Sequence, residues 1–270
     1  MISLDWKERL KKDTIDFYER KLPQKDYDID IIYNAYPERI DNKIPQAVIT
    51  FVGKNLAAKL AKEADKYYEF YDYLLNKKEE NGTIIFAYIM SRAIRKKPEV
   101  YLKYLEKILT AVKDQKSCNL IMDKAIFPIV KKKPKEYLDT IIKWIDLENK
   151  YLINSINKLL IKLIHTEPEL AKYIFGKLET SWLYATPDII KLNSSILKEI
   201  YKTNPDFYFS VYENYKMTRN PVFAEILGGA ICCYHETIDK IVKNWSKSGN
   251  IKLKKIGIHC QKLLRRKESK

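Results

Sequence analysis

The sequence predicts an all-α fold in which antiparallel helix pairs repeat and stack into a curved solenoid. Three observations carry this. A proline recurs at Pro98, Pro134, Pro168 and Pro205, in steps of 36, 34 and 37 residues. Each proline closes one stretch of helically spaced apolar residues and opens another, and the 270 residues hold only seven glycines. Self-similarity at a period of about 20–50 residues marks repeat architectures, in which each unit buries its apolar face against the next.

Residues 1–45 lie outside the period. Helical signals run from Asp5 to Lys21 and from Asp28 to Tyr36, around a break at Leu22-Pro23. They are read as an N-terminal helical cap on a repeat array spanning 46–270 within the same domain, because an array must cover its first apolar face.

Within the array each unit reads as helix A, a tight turn, then helix B. Ala64 opens the first B helix, with Tyr67, Tyr68, Phe70, Tyr71, Leu74 and Leu75 as its apolar positions. Lys97-Pro98-Glu99 leads into Tyr101, Leu102, Leu105 and Ile108, and Lys133-Pro134 into Tyr137, Leu138, Ile141 and Ile142. Glu167-Pro168-Glu169 precedes Leu170, Tyr173 and Ile174; Asn204-Pro205-Asp206 precedes Phe207, Tyr208, Val211 and Tyr212. Proline at the first helical position sacrifices only an N–H that would be unpaired there, and an acid in that turn suits the helix dipole. Glu236 starts a last B helix ending near Trp245, and an A-type helix over 250–265 closes the array. The frame thus names six B helices plus this closing helix.

Fifty Lys and Arg face thirty-five Asp and Glu, a net charge of +15, and the excess is uneven. Residues 1–50 are nearly neutral, whereas residues 239–270 hold 11 basic and 2 acidic side chains. A basic field of this kind points to a polyanion, with nucleic acid first. Cations gather where A helices end: Arg92, Arg95, Lys96 and Lys97; Lys131, Lys132 and Lys133; Lys158 and Lys162; Lys198 and Lys202. A helix C-terminus favours a cation through its dipole, but that explains one per helix and not three or four. The stacked ends are expected to form a ladder for a phosphate backbone. The 20 tyrosines, many on B helices, are expected as core or rim residues with their hydroxyls reaching water, since their spacing is helical.

Other chemistries find little support. No apolar run nears the ~20 residues of a membrane-spanning helix, and Met1 to Leu10 does not resemble a secretory signal. Four cysteines at Cys118, Cys232, Cys233 and Cys260 lay out no disulfide framework, so a cytoplasmic protein is expected. In the repeat frame Cys232 aligns with Cys260, placing both sulfurs on neighbouring A helices beside His235 and His259. The paired spacings of structural zinc sites are missing, so no metal is expected. No phosphate loop, nucleophile elbow or dinucleotide fingerprint appears, and no cofactor is expected.

The segment Trp245-Ser-Lys-Ser248-Gly-Asn250-Ile-Lys-Leu253-Lys-Lys255-Ile-Gly-Ile258 resembles the W-x-x-S-x-N-x-x-L-x-R-x-A-I word of the HEAT-like alkylpurine DNA glycosylases, the AlkD-like family. Lys202-Thr-Asn-Pro205-Asp206 resembles a helix junction common in that family. The resemblance implies HEAT-like repeats whose concave basic face holds duplex DNA. It sets Lys255 where the family has an arginine near the DNA backbone, and Ser248 and Asn250 at a helix start. The family's catalytic aspartate maps to Asn220, and the tryptophans before it to Tyr215 and Lys216. An amide cannot stabilise a cationic sugar as a carboxylate does. Glu213 and Glu225 are the nearby carboxylates that would have to substitute.

The function expected is therefore binding of duplex DNA without base excision. The candidate contacts are Arg92, Arg95, Lys96, Lys131, Lys132, Lys133, Lys252, Lys254, Lys255, Arg265 and Arg266. Two alternatives stand beside it: an active glycosylase with a rearranged site, and a scaffold for an acidic protein partner.

Overall fold

The computed structural model describes residues 5–20, 28–36 and 38–268; the expected break at Leu22-Pro23 falls outside them. The described residues are helical apart from connections and one isolated bridge between Ile40 and Lys43. In order they form α1 (Trp6–Glu19), a 3₁₀ helix (Ile29–Ala35), α2 (Gln46–Leu60), α3 (Tyr68–Lys77), α4 (Glu79–Ala93), α5 (Pro98–Ala111), α6 (Gln115–Ile121) and α7 (Phe127–Lys132). There follow α8 (Pro134–Lys143), α9 (Lys150–Thr166), α10 (Leu170–Glu179), α11 (Pro187–Thr203), α12 (Pro205–Asn214), α13 (Pro221–Gly229), α14 (Glu236–Ser246) and α15 (Ile251–Glu268). The all-α expectation is met.

Proline opens α5, α8 and α12 as the sequence predicts, and also opens α11 and α13 at Pro187 and Pro221. Pro168 behaves differently, standing two residues ahead of α10. There the Leu170 amide bonds to the Glu167 carbonyl and the Ala171 amide to that of Pro168, so the chain makes a tighter i→i+3 turn before the helix proper. The six B helices of the frame are found as α3, α5, α8, α10, α12 and α14.

The chain divides into two compact units, Met1–Pro134 and Lys135–Lys270. In the first, α1 packs on α2 and on the 3₁₀ helix, α2 runs along α4, and α4 packs on α6. Helix α5 buries Tyr101, Leu102, Leu105 and Leu109, one stripe at i, i+1, i+4 and i+8, as an amphipathic B helix should. The third A helix is split by a π-turn over Met122–Ile126. Pro128 explains the split: it has no N–H for the Lys124 carbonyl, and the ladder is re-formed with the Phe127 amide bonding back to Met122.

In the second unit α9, α11, α13 and α15 pack side by side in that order, with α10 against α9 and α11, α12 against α11, and α14 against α15. Successive B helices are also tied by polar side chains. The Tyr173 hydroxyl and the Lys177 ammonium both donate to Asp139, at 2.5 and 2.6 Å. The Tyr215 hydroxyl donates to Glu179 at 2.5 Å. Lys177 first, and then Tyr173, hold the Asp139 carboxyl below its ordinary range.

The tyrosines are mostly core or half-buried, as expected, but several hydroxyls stay inside the protein, those of Tyr71, Tyr208 and Tyr212 among them. Buried Tyr208 donates to the Ala230 carbonyl at 2.9 Å and buried Tyr212 to that of Leu227 at 2.8 Å. These bonds meet carbonyls at and just past the end of α13; the Leu227 carbonyl also accepts from the Ala230 amide at 3.0 Å.

Candidate nucleic-acid interface

Two adjacent glycines set the geometry of the C-terminal unit. A Cβ on Gly228 would stand 2.6 Å from the Cys260 sulfur of α15, and one on Gly229 would stand 2.7 Å from the Ser194 hydroxyl of α11. Only glycine lets α13 sit this close to both neighbours. The Ser194 hydroxyl confirms the approach from the other side, donating to the Ile226 carbonyl at 2.9 Å.

A groove of about 770 Å³ lies over this contact. Its charged lining is Lys198 from α11, Glu225 from α13, and Lys252, Lys255 and Lys267 from α15. Residues 252, 255, 259, 263 and 267 share one face of α15 by their three- and four-residue spacing. Lys252 stands 3.4 Å from Glu225, and Lys267 donates to the Cys232 carbonyl at 2.7 Å. Lys198 and Lys255 have no ion-pair partner among the described residues. Four cations around one carboxylate leave the groove strongly basic, and Ile231, Ile256, Leu263 and Cys260 give it an apolar floor.

The structure thus brings together Lys252, Lys255 and Glu225 and leaves the other candidates of the C-terminal unit outside the groove lining. Lys254 is exposed on α15 outside the groove lining, and Arg265 and Arg266 lie in that helix's last turn. Asn220 is the N-cap of α13, its side-chain oxygen accepting from the Val222 amide at 2.9 Å. Glu213 lies in the last turn of α12, where the Thr237 hydroxyl donates to it at 2.8 Å and Lys216 stands 3.5 Å away. The Thr237 hydroxyl first, and then the neighbouring cations, hold its carboxyl below the ordinary range. Sequence reasoning missed Lys267 as a groove residue and missed the depth of the groove; the signal was the Gly228-Gly229 pair inside an apolar run.

The cysteine alignment needs correction. Helix α13 ends at Gly229, so Cys232 lies in the following connection rather than on a helix. Its sulfur bonds to the Ala230 carbonyl, while Cys260 is buried on α15 against Gly228. Burial pushes both thiols up, Cys260 to about 11, so neither is poised as a thiolate. Among the described residues no three His, Cys, Asp or Glu gather as a metal site requires. Nor is any described helix long and apolar enough to cross a membrane.

In the N-terminal unit, Arg92, Arg95 and Lys96 are exposed just before Pro98, and Lys131, Lys132 and Lys133 just before Pro134. Among the described residues Arg92, Arg95, Lys96, Lys131 and Lys132 have no ion-pair partner, whereas Lys97 pairs with Asp65 at 3.1 Å. In the C-terminal unit Lys202 is drawn to the buried Glu199 at 3.1 Å, which His165 also meets at 2.6 Å. The ladder residues therefore divide into committed and uncommitted cations.

No match is found among curated proteins or among solved structures. A family model described as DNA alkylation repair enzyme matches residues 44–222. That span takes in the prolines at 98, 134, 168 and 205, the cation clusters at 92–96 and 131–133, and Glu213 and Asn220; it stops before Glu225 and the Trp245 segment. Helix pairs with this period, basic helix ends and a match over about two-thirds of the chain lead to one conclusion: the chain belongs to the DNA alkylation repair enzyme family.

Proposed function

We propose that the protein binds duplex DNA through its phosphate backbone and does not itself excise bases. The observation that carries the binding is the α13 groove, where Lys198, Lys252, Lys255 and Lys267 surround a single carboxylate. Lysines facing phosphates release condensed counterions, which supplies affinity without reading sequence. The uncommitted cations at 92–96 and 131–132 extend the same chemistry to the N-terminal unit, and the family supports a nucleic-acid partner in general.

The absence of excision is supported by how the carboxylates are used. At the position the family resemblance gives to the catalytic aspartate there is an amide, and it is occupied in capping α13. Glu213 is engaged by Thr237 and Lys216. A second reading, an active glycosylase, is favoured by one observation: Glu225 lies in the groove, where a carboxylate could face a cationic sugar. A salt series of binding to duplex, single-stranded and alkylated DNA tests the first reading, since affinity that does not fall with salt overturns it. Release of a methylated base, abolished by Glu225→Gln, would establish the second.

A further inference from the structure

The three most exposed large apolar side chains among the described residues are Tyr184 at 85%, Met217 at 75% and Ile251 at 73%. They stand on, or at the end of, three successive B-to-A connections of the C-terminal unit. Tyr184 lies between α10 and α11, Met217 between α12 and α13, and Ile251 at the first position of α15. Exposed apolar residues scattered singly are ordinary. Their return at or beside the B-to-A junction of three consecutive repeats is not.

Two tryptophans join these connections into one edge. The Trp182 ring is 5.1 Å from Tyr215 and 5.6 Å from Phe223, and the Trp245 indole N–H donates to the Thr218 carbonyl at 3.2 Å. Between Met217 and the Lys247–Gly249 turn opens a cleft of about 500 Å³ whose charged lining is Lys216, Arg219 and Lys247, with no carboxylate. Lys216 is shared with Glu213, whereas Arg219 and Lys247 have no ion-pair partner among the described residues.

We propose that this edge docks an acidic amphipathic helix of a partner protein. Neighbouring helices pack about 8–10 Å apart, so a helix laid across α11, α13 and α15 passes from one repeat to the next in a little under two of its own turns, ~11 Å. A helix lying along the edge sets apolar residues seven positions apart against Tyr184, Met217 and Ile251, and its flanking carboxylates against Arg219 and Lys247. Met217 suits an apolar contact, because its unbranched thioether side chain adapts to its partner's shape. A phosphate backbone would use the cations and leave all three tips in water, which favours a protein helix over nucleic acid. The edge shares no residue with the α13 groove, and the proposal does not rest on the DNA reading.

The test titrates the full chain with a fluorescent peptide of about 18 residues carrying leucine on one helical face and glutamate on the other. Its scrambled isomer, duplex DNA and phosphatidylserine vesicles serve as the other arms. The peptide is expected to bind the wild type, and to bind at least about tenfold more weakly when scrambled or when Tyr184→Ser, Met217→Ser and Ile251→Ser are combined. Arg219→Ser with Lys247→Ser is expected to weaken the peptide as well, with duplex affinity held by the triple apolar variant. Equal binding of the two peptides, or a triple variant that binds as the wild type does, overturns the proposal. So does a triple variant that loses duplex or vesicle binding instead, which would assign the edge to nucleic acid or to lipid.

Discussion

The Tyr212 hydroxyl lies 2.8 Å from the Leu227 carbonyl oxygen and donates to it inside the core. A residue of one repeat's B helix thereby completes the A helix of the next, 15 positions on. Tyr212→Phe removes one of two donors to that carbonyl, the Ala230 amide remaining at 3.0 Å. Urea denaturation should show a loss of about 0.5–1.5 kcal/mol, the net worth of one hydrogen bond, with the fold retained by circular dichroism.

The close approach of Gly228 to Cys260 predicts a coupled pair. Gly228→Ala places a methyl 2.6 Å from the Cys260 sulfur and should cost about 1–3 kcal/mol through overpacking. Cys260→Ala in the same chain removes the obstructing atom. The double variant should therefore be more stable than the single Gly228→Ala change, and denaturant midpoints of the four proteins would give the coupling.

Asn220 is predicted to matter for stability and not for chemistry. Asn220→Ala should destabilise by about 0.5–2 kcal/mol through loss of the α13 cap, whereas Asn220→Asp keeps a capping oxygen and should be nearly neutral. A base-release assay on methylated DNA checks the other half: Asn220→Asp is expected to show no excision above the wild type.

The groove lysines can be separated from general surface charge. Lys252→Ser with Lys255→Ser should weaken duplex binding and flatten the plot of log affinity against log salt by up to about 2, near 0.9 for each phosphate no longer neutralised. Lys254→Ser, which removes a charge outside the groove lining, should change either quantity less.

Asp139 should leave a mark on acid stability. Its folded pKa is held down by Lys177 and Tyr173, below an unfolded value near 3.9. The stabilisation is complete above the unfolded value and disappears as pH falls through the lower folded one. Melting temperatures of the wild type and Asp139→Asn should converge as pH drops from about 5 to about 2. The gap at neutral pH should be small, because solvent screens a pair this exposed.

The helix starts are legible in the sequence because proline at a first helical position is a local effect, and Pro98, Pro134 and Pro205 each sit where that effect places them. Pro168 misleads by two residues, because whether a first turn is α or 3₁₀ depends on how the chain leaves α9. The groove is not legible, since it exists only through approaches between residues 32 and more positions apart, Gly228 to Cys260 and Gly229 to Ser194. Glu213, Asn220 and Glu225 are near one another in the chain and take three unrelated roles, engaged by Thr237, capping α13 and lining the groove. Sequence distance could rank them only as neighbours.

Helix α13 has nine residues, fewer than the ~12–15 an isolated helix needs to persist in water. It is held from α11 by Ser194, from α12 by Tyr208 and Tyr212, and from α15 by the sulfur of Cys260. It has no stability of its own to lose gradually. Its backbone amides should exchange with deuterium only when those three neighbours open together, so the slowest protons of α13 would clock the cooperative unfolding of the C-terminal unit.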